Sequence, residues 1–386
     1  MAARNSRGRA RRKNEYFFDY TLLTVVIFLI AFGLLMIYSA SSYNANLNFG
    51  DPKHFVKSQL FATTLGAVVM VAAITIDYHL LQKFAVPIYI ISAVLVMLVL
   101  TPLGIERNGA RRWLNLGISL QPAEIAKIAV IVMVATLACK MGRYAKSFKG
   151  IVIMAVSGIL MALIIGVFNK NMSTAIIVCA ITAVMIFVID PDYKKYFIGA
   201  LLVAVAAGIV IFIAKTSLTS DSGFRLKRIA AWLDPTAFSS DTSFQTLQGL
   251  YAIGSGSIFG KGLGQSMQKL GFIPESQNDM IFSIICEELG IFGALVVIFL
   301  YVLLIWRCMV IANNAPDLFG ALIVVGVMGH FAIQVIMNIA VVTNTMPNTG
   351  VSLPFISYGG SSALFLMAEI GLVLNVSKSI RLHELG

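Results

Sequence analysis

The chain has 386 residues, of which 58% are hydrophobic and 12% are charged, and its mean hydropathy is +0.87. A water-soluble domain has about 45–50% apolar and about 25% charged residues, so this composition excludes a single water-soluble core and predicts that lipid surrounds much of the chain. The net charge of +11 would suit a nucleic-acid binder. Its placement beside apolar segments argues against that class, and we expect no nucleic-acid partner.

The first 19 residues form a basic tail, in which six of the 29 Lys and Arg residues lie between Arg4 and Lys13. Such a cluster directly before an apolar segment is typical of a cytoplasmic tail that contacts anionic lipid headgroups. The apolar segment that follows, 20–40, has about 21 residues, whereas the apolar core of a secretory signal has about 7–15. We therefore predict a retained first transmembrane helix.

Apolar segments close to the ~20 residues that cross a bilayer recur along the chain. We predict an all-α polytopic membrane protein with about ten transmembrane helices, at 20–40, 58–76, 84–103, 123–139, 150–168, 172–190, 195–214, 279–305, 317–342 and 361–378. These form one transmembrane domain over 20–378, with a long loop at 215–278 between the seventh and eighth helices. A short tail, 379–386, follows, and an even number of spans places both termini on the same side.

The distribution of basic residues predicts which side that is. With cytoplasmic termini, the cytoplasmic segments carry 16 Lys and Arg residues, and the outer segments carry 6 when the long loop is left out. Long loops follow the positive-inside rule poorly, which is why that loop is discounted. Both termini are therefore predicted to be cytoplasmic and the 215–278 loop extracellular.

The four cysteines, Cys139, Cys179, Cys286 and Cys308, lie in or beside apolar segments. They form neither a CxxC pair nor a Cys/His cluster. We therefore expect inert thiols, without a disulfide framework or a zinc site.

Few ionisable side chains fall within the predicted spans, where each charge costs about 2.5–3.5 kcal/mol on insertion scales. Glu124 and Lys127 are three residues apart, so they share one helix face and can form an ion pair. The alternative is a polar patch beneath the outer surface that meets a charged substrate.

Two further sets of ionisable residues lie deeper in the C-terminal spans. Glu287 and Glu288 are expected to pair with Lys127 or with arginines of the long loop, or to be purely structural. His330 and Glu369 are isolated in the sequence, and for both we expect a packing role rather than chemistry.

The outer segment Arg107–Trp113 contains three cations and an indole. Arginine matches the geometry of phosphate, and tryptophan suits the headgroup layer. The segment is therefore either an interfacial anchor or a site for a lipid-linked phosphate.

The glycine-rich stretch Gly254–Gly264 in the long loop does not form a P-loop, because Ser255 and Gly262 stand where glycine and Ser or Thr are required. Close backbone packing or a turn is the better interpretation. Further along, Asp279 lies at or near the start of the next helix. A helix cap and a catalytic role both remain open for this residue.

A second outer segment, Met346–Ser362, contains two prolines and three glycines, which predict a shaped, non-helical stretch at membrane depth. Such backbone is tolerated there only when it lines a cavity or is buried in protein.

Together these segments resemble the SEDS family (shape, elongation, division and sporulation), the RodA/FtsW-type membrane glycosyltransferases, over nearly the whole chain. The resemblance rests on Gly109–Trp113, Gln121–Lys127, Arg228–Pro235, Ala252–Gly256, Pro274–Glu275 with Asp279, Glu287–Gly290 and Leu353–Ser361, in this order. The stretch Gly262–Lys269 and the end of the last motif are more similar to the FtsW/SpoVE branch than to RodA.

The resemblance implies polymerisation of lipid II, the undecaprenyl-pyrophosphate-linked disaccharide-peptide, into glycan strands outside the cytoplasmic membrane during cell division or a related process of wall building. It also implies a class B penicillin-binding protein as partner, among other division or elongation proteins. The essential aspartate of the family matches Asp279, for which we expect the role of base in an inverting transfer. The departures from the family pattern, Ala123, Gly249, Asn278 and Met280, remove no ionisable group.

The remaining expected site residues bind the substrate, and several of them are cations that would neutralise the pyrophosphate. They are Arg111, Arg112, Trp113, Glu124, Lys127, Arg225, Arg228, Gln248, Glu275, Ser357 and Gly359. A divalent cation, Mg²⁺ or Mn²⁺, is compatible with the sequence, because magnesium needs only one or two carboxylates beside phosphate oxygens. The alternatives are a lipid II transporter and a non-catalytic scaffold, although no matching pair of interrupted helices supports a transporter.

Overall fold

A computed structural model of the chain describes residues 17–107, 110–115, 119–192, 232–234 and 244–380, with four isolated positions at 194, 196, 199 and 208. Its helices are α1 (Tyr20–Phe49), α2 (His54–Thr75), α3 (His79–Lys83), α4 (Ala85–Leu98), α5 (Pro122–Met141), α6 (Phe148–Phe168), α7 (Met172–Ile189), α8 (Phe244–Ser255), α9 (Ile281–Asn313), α10 (Leu318–Val342) and α11 (Gly360–Lys378). A 3-10 turn, Gly142–Lys146, joins α5 to α6.

Eight helices in the described part of the chain are long and apolar enough to cross a membrane, namely α1, α2, α5, α6, α7, α9, α10 and α11, and α4 is a shorter apolar helix. These nine helices coincide with nine of the predicted spans. Only three isolated positions of the predicted span at 195–214 are described, so the total of ten stays a prediction.

The helices surround α10, which forms the centre of the bundle. In the most apolar window of α10, 72% of the residues are buried, against 17% in that of α2. α10 packs against α5, α7, α9 and α11, whereas α2 lies outside and packs mainly against α11. The exposed residues of α2 include Phe61 and Val68, as expected for a surface in contact with lipid.

The two ends of the described chain lie side by side. The backbone N–H of Phe17 donates to the carbonyl of Ile380 at 3.0 Å, and the carboxylate of Asp19 binds the guanidinium of Arg307 at 2.7 Å. The start of α1 and the ends of α9 and α11 therefore share one side of the bundle. Because α9 runs across the bundle from Ile281 to Asn313 and Arg307 lies near its C-terminal end, Asp279, just before α9, lies at the opposite side.

The segment between α4 and α5 forms a small antiparallel sheet, which adds three short strands to the predicted all-α membrane fold. Its strands are β1 (Gly104–Arg107), β2 (Ala110–Asn115) and β3 (Ser119–Leu120), in the order β1-β2-β3. Arg107 pairs with Ala110, and the sequence between them is Asn-Gly, the dipeptide most favoured in two-residue hairpin turns. This dipeptide therefore predicts a hairpin, which was not among the elements expected for the segment.

Helix α9 is interrupted at Gly290, where φ is 68° and ψ is −166°. The glycine-rich stretch packs against this interruption, and the carbonyl of Ile258 accepts a hydrogen bond from the N–H of Phe292 at 3.1 Å. A Cβ added at Gly290 would lie 2.3 Å from the oxygen of Ile258, and one added at Gly260 would lie 2.1 Å from the oxygen of Glu288. The prediction of close backbone packing by these glycines is therefore confirmed.

Candidate active site

Asp279 lies in a turn directly before α9 and is half-buried. The N-cap residue of α9 is Met280, and no side chain caps the helix, so the interpretation of Asp279 as a helix cap is wrong. Its Oδ1 accepts a hydrogen bond from Gln245 Nε2 at 3.4 Å, and its backbone oxygen accepts one from Asn338 Nδ2 at 2.8 Å. The carboxylate is therefore held beside side chains that donate hydrogen bonds.

Three elements meet at this carboxylate. Gln245 comes from the first turn of α8, and Asn338 comes from the last turns of α10. Asn348 donates from its Nδ2 to Gln245 Oε1 at 3.2 Å, and a Cβ added at Gly350 would lie 3.8 Å from Asp279 Oδ2. Asp279 therefore lies where α8, α10 and the segment after α10 converge.

That segment, residues 343–359, is called the return segment here because it folds back into the bundle without helical structure. Asn338 Nδ2 donates to the carbonyl of Val351 at 2.7 Å, Gln334 Nε2 donates to that of Ser352 at 3.0 Å, and the hydroxyl of Tyr301 donates to that of Pro354 at 2.5 Å. The expectation that this stretch is non-helical and buried in protein is confirmed.

A row of polar side chains runs along one face of α10 from Asp279 into the bundle. It consists of Asn338, Gln334 and His330, each fully or almost fully buried. A spacing of four residues places side chains on the same helix face, and at 1.5 Å per residue His330 lies about 12 Å from Asn338 along the axis. We call this row the α10 polar row.

The deep end of the row meets ionisable side chains from two neighbouring helices. Lys127 Nζ lies 3.0 Å from Glu124 Oε2, which confirms the predicted ion pair, and 2.8 Å from His330 Nε2. His330 Nδ1 lies 2.7 Å from Glu369 Oε2. His330 and Glu369 are 39 residues apart in the chain, but they pair in the structure because α10 and α11 pack side by side. The expectation of a packing role for both residues stays a prediction.

The two carboxylates before the interruption of α9 bind lysines of the preceding loop. Glu287 Oε1 lies 2.7 Å from Lys261 Nζ, and Glu288 Oε1 lies 2.7 Å from Lys269 Nζ. The expected pairing of these carboxylates with Lys127 or with loop arginines is wrong. The alternative, a purely structural role for Glu287 and Glu288, agrees with the observed ion pairs. These two pairs attach the loop before Asp279 to α9.

Among the predicted cations, Arg111 and Arg112 contact other protein groups, whereas two others lie outside the described residues. Arg111 is exposed on β2, and its Nε lies 3.4 Å from Glu106 Oε2. Arg112 donates to the carbonyl of Lys170 at 3.4 Å, and Trp113 is half-buried beside it. Arg225 and Arg228 lie outside the described residues, so their place in the site stays a prediction.

The remaining predicted residues occupy different positions around the site. Gln248 is half-buried one helical turn beyond Gln245, and it is Gln245 that donates to Asp279. Glu275 has a left-handed φ of 49°, and its Oε2 accepts a hydrogen bond from Asn278 at 2.6 Å. A role for Gln248 and Glu275 in binding substrate stays a prediction.

Ser357 and Gly359 shape the return segment. Ser357 is buried, and its Oγ accepts a hydrogen bond from the N–H of Leu353 at 2.7 Å. The N–H of Gly359 donates to Gln59 Oε1 on α2 at 3.1 Å. Both residues therefore fix the path of the backbone between α10 and α11.

Four amide side chains of the site, Gln245, Gln334, Asn338 and Asn348, were not among the predicted site residues. Within the predicted spans only ionisable residues were considered, so Gln334 and Asn338 were not predicted. The four-residue spacing of His330, Gln334 and Asn338 within an apolar span was a signal that could have found two of them.

The arrangement suits proton transfer better than a protein-held metal centre. Among the described residues, no group of three or more His, Cys, Asp or Glu side chains could hold a metal ion. A carboxylate at the helix end opposite the termini, held by hydrogen-bond donors, can accept a proton from a bound hydroxyl.

Three comparisons identify similar proteins. The chain matches the family model FtsW/RodA/SpoVE, described as cell cycle protein, over residues 20–382. It is 36% identical over 365 residues to stage V sporulation protein E of Bacillus subtilis (strain 168), which covers 94% of this chain and 98% of the relative. It is 38% identical over 372 residues to the probable peptidoglycan glycosyltransferase FtsW of Trichlorobacter lovleyi, covering 95% of each.

A solved structure is also similar over almost the full length. It belongs to a peptidoglycan synthase complex that coordinates polymerisation and crosslinking, and its matching chain has a TM-score of 0.75 at 26% sequence identity. The match covers 94% of this chain and 98% of that chain.

Proposed function

Because the chain belongs to the FtsW/RodA/SpoVE family of cell cycle proteins, it is a peptidoglycan glycosyltransferase, and we propose that it polymerises lipid II on the outer face of the cytoplasmic membrane. The family resemblance stated from the sequence is confirmed, and the relatives are named SpoVE and FtsW, the branch that the sequence favoured. The observation that carries the proposal is the position of Asp279, held by Gln245 and Asn338 at the end of the bundle opposite the termini.

The proposed reaction moves a growing glycan from its lipid pyrophosphate to the 4-hydroxyl of another lipid II. Asp279 takes the hydroxyl proton while the oxygen bonds to the anomeric carbon and the bonding electrons leave with undecaprenyl pyrophosphate. The donor bond is α and the product bond is β, so a single displacement inverts the carbon without a covalent enzyme intermediate. General-base assistance of this kind contributes about 10²–10⁴-fold.

The negative charge of the departing pyrophosphate needs cations nearby. We assign this role to the predicted cations Arg111, Arg112, Arg225 and Arg228. Lys127 serves indirectly, since its ammonium already contacts Glu124, His330 and Gln334. A divalent cation would be held mainly by the pyrophosphate oxygens, because the described residues offer no protein cage for it.

A class B penicillin-binding protein is the partner that we propose for crosslinking. Support comes from the similar solved chain, which belongs to a complex that couples polymerisation to crosslinking. The described structure also leaves an exposed apolar face along α9, formed by Phe292, Leu295, Phe299, Val302 and Trp306. These residues recur every three or four positions, so they present one face to which a single apolar helix of a partner can pack.

The purified protein and its partner, supplied with lipid II, are expected to produce glycan strands that separate on a gel. A flipping assay in vesicles, run in parallel, distinguishes the alternatives. Lipid II that crosses the membrane without forming polymer would support a transporter. Absence of both activities, with partner binding retained, would support a scaffold, and either result would reject the proposed polymerase.

Gln245→Ala is expected to lower the polymerisation rate about tenfold, because a hydrogen bond to a charged group is worth roughly 1.5–3 kcal/mol and the 3.4 Å contact places this one at the low end. Rates would be measured at saturating lipid II. Gln82→Ala on α3, at the side of the termini, is the matched control and should keep the wild-type rate. Equal rates for Gln245→Ala and Gln82→Ala would remove Gln245 from the site.

A further inference from the structure

Helix α8 runs inward beside α9 instead of lying across the end of the bundle. A Cβ added at Gly249, in the middle of α8, would meet the side chain of Met280 at the start of α9. Just after α8, the carbonyl of Ile258 accepts a hydrogen bond from the N–H of Phe292 at 3.1 Å. Because Phe292 lies about three helical turns further along α9 than Met280, α8 and the residues after it descend along α9.

The chain then turns and returns to the side from which it came. The N–H of Lys261 donates to the carbonyl of Glu287 at 2.9 Å, and the N–H of Met267 donates to Glu287 Oε1 at 3.1 Å. The return ends at Asp279, directly before α9. Residues 256–273 are therefore called the re-entrant loop, and residues 257–263 are its tip.

The depth of the tip can be measured from the other end of α9. Trp306 is exposed there, and Arg307 binds Asp19, which are features of a membrane–water interface. Gly290, which packs against the tip, lies about 25 Å from Arg307 at 1.5 Å per residue. The hydrocarbon layer of a bilayer is about 30 Å thick. The tip therefore reaches about 5 Å into that layer from the side of Asp279.

The charged and backbone groups of the re-entrant loop face α9. The side chains of Lys269 and Glu288 are 6% and 0% exposed and form an ion pair, and the ammonium of Lys261 binds Glu287. The N–H of Gly262 donates to the carbonyl of Glu288 at 2.9 Å. Lipid penalises unpaired charges and unbonded backbone groups, so this pairing is what an apolar surrounding requires.

The opposite side of the re-entrant loop is apolar and exposed. Phe259 at the tip is 80% exposed, the largest fraction among the large apolar side chains in the described part of the chain. Five more large apolar side chains of the loop are exposed: Ile258, Leu263, Met267, Leu270 and Phe272. A contiguous apolar patch of this kind marks an interaction surface. Segments with one apolar and one polar side enter a membrane interface to a depth of about 5–10 Å, which agrees with the position of the tip.

We propose that the re-entrant loop inserts its apolar side into the outer leaflet, the leaflet on the side of Asp279, where acyl chains of lipid cover Ile258, Phe259 and Leu263. Part of the 215–278 loop, predicted to be extracellular, then lies within the bilayer. The ion pairs with Glu287 and Glu288 neutralise the lysines that enter with it. This surface contacts the membrane and not the reacting groups, so it is independent of the proposed polymerisation.

Spin labels measure the insertion directly. Phe259→Cys would be labelled with a nitroxide in a Cys139→Ala/Cys179→Ala background, which removes the two native thiols that are not buried. The full chain would be placed in vesicles of phosphatidylethanolamine and phosphatidylglycerol. Collisions with oxygen report lipid, and collisions with a water-soluble nickel complex report water.

Two positions in the same background provide the references. Phe61→Cys lies on the exposed face of α2 and reports lipid, and Lys53→Cys lies exposed in the turn between α1 and α2 and reports water. The label at Phe259→Cys should collide with oxygen as often as that at Phe61→Cys. Its collisions with nickel should be several-fold fewer than those at Lys53→Cys. Leu263→Cys should give the same result, and it keeps the test valid if Phe259→Cys folds poorly.

Nickel collisions at the tip as frequent as those at Lys53→Cys would place the tip in water and overturn the proposal. A tip that nickel reaches in the protein alone, but not after the penicillin-binding protein is added, would also overturn it and assign the surface to the partner. Polymerisation is measured separately on the wild type. Failure of the wild type to make glycan would reject the proposed function and leave the result for the tip unchanged.

Discussion

Replacing Asp279 by alanine is expected to lower the polymerisation rate of the purified protein with its partner by about 10²–10⁴-fold, the usual contribution of a general base. The carboxylate lies at the convergence of α8, α10 and the return segment, where Gln245 contacts it directly. The measurement is the amount of glycan formed from lipid II per unit time. A correctly folded Asp279→Ala protein that still polymerises at the wild-type rate would exclude Asp279 as the base.

Asp279→Asn is expected to lose activity to a similar extent. The amide has the same shape but cannot take the hydroxyl proton, and a lost helix cap cannot explain the result because the N-cap is Met280. Asp51→Asn is the matched control. This aspartate lies at the same side of the bundle after α1, in an exposed ion pair with Lys57, and its substitution should leave polymerisation unchanged.

The position of Asp279 could be predicted from the sequence, but its surroundings could not. A run of apolar residues locates the start of α9 to within two residues, since hydrophobicity is a local property of the chain. Gln245 and Asn338 lie 34 and 59 residues away in the chain. Contacts between residues so far apart in the chain depend on how the helices pack. A short stretch of sequence does not determine that packing.

The same reason explains why the partners predicted for the buried charged residues were wrong. The Glu124–Lys127 pair was predictable because three residues on a helix fix the geometry. Glu369 was not assigned to His330, since no local pattern indicates that α10 and α11 place these side chains together. Where local chemistry was sufficient, as with the glycines beside Gly290, the prediction of close packing was correct.

Glu288→Ala is expected to lower the free energy of unfolding by about 3–5 kcal/mol, the cost of removing one partner of a buried ion pair. The side chains of Glu288 and Lys269 are 0% and 6% exposed, and their charged atoms are 2.7 Å apart. Ser39 Oγ also donates to Glu288 at 2.7 Å. The variant leaves the ammonium of Lys269 buried without its carboxylate, and unfolding in mixed detergent micelles would measure the loss.

An exposed pair of the same chemistry provides the control. Lys57 and Asp51 are also 2.7 Å apart, but their side chains are 68% and 38% exposed. Water screens the charges of an exposed pair, which contributes little to stability, so Asp51→Ala should hardly change the stability. Equal losses in Asp51→Ala and Glu288→Ala would contradict the view that burial determines the cost.

The double variant Lys269→Met/Glu288→Leu tests whether the buried charges themselves are required. Breaking a buried pair is costly because one charge stays behind, whereas replacing both partners with apolar side chains is often neutral or stabilising. The double variant should therefore recover most of the stability that Glu288→Ala loses. The loop from Lys269 leads directly to Asp279, so polymerisation should recover with it. If the fold recovers and the activity does not, the ion pair orients this loop for catalysis as well as attaching it to α9.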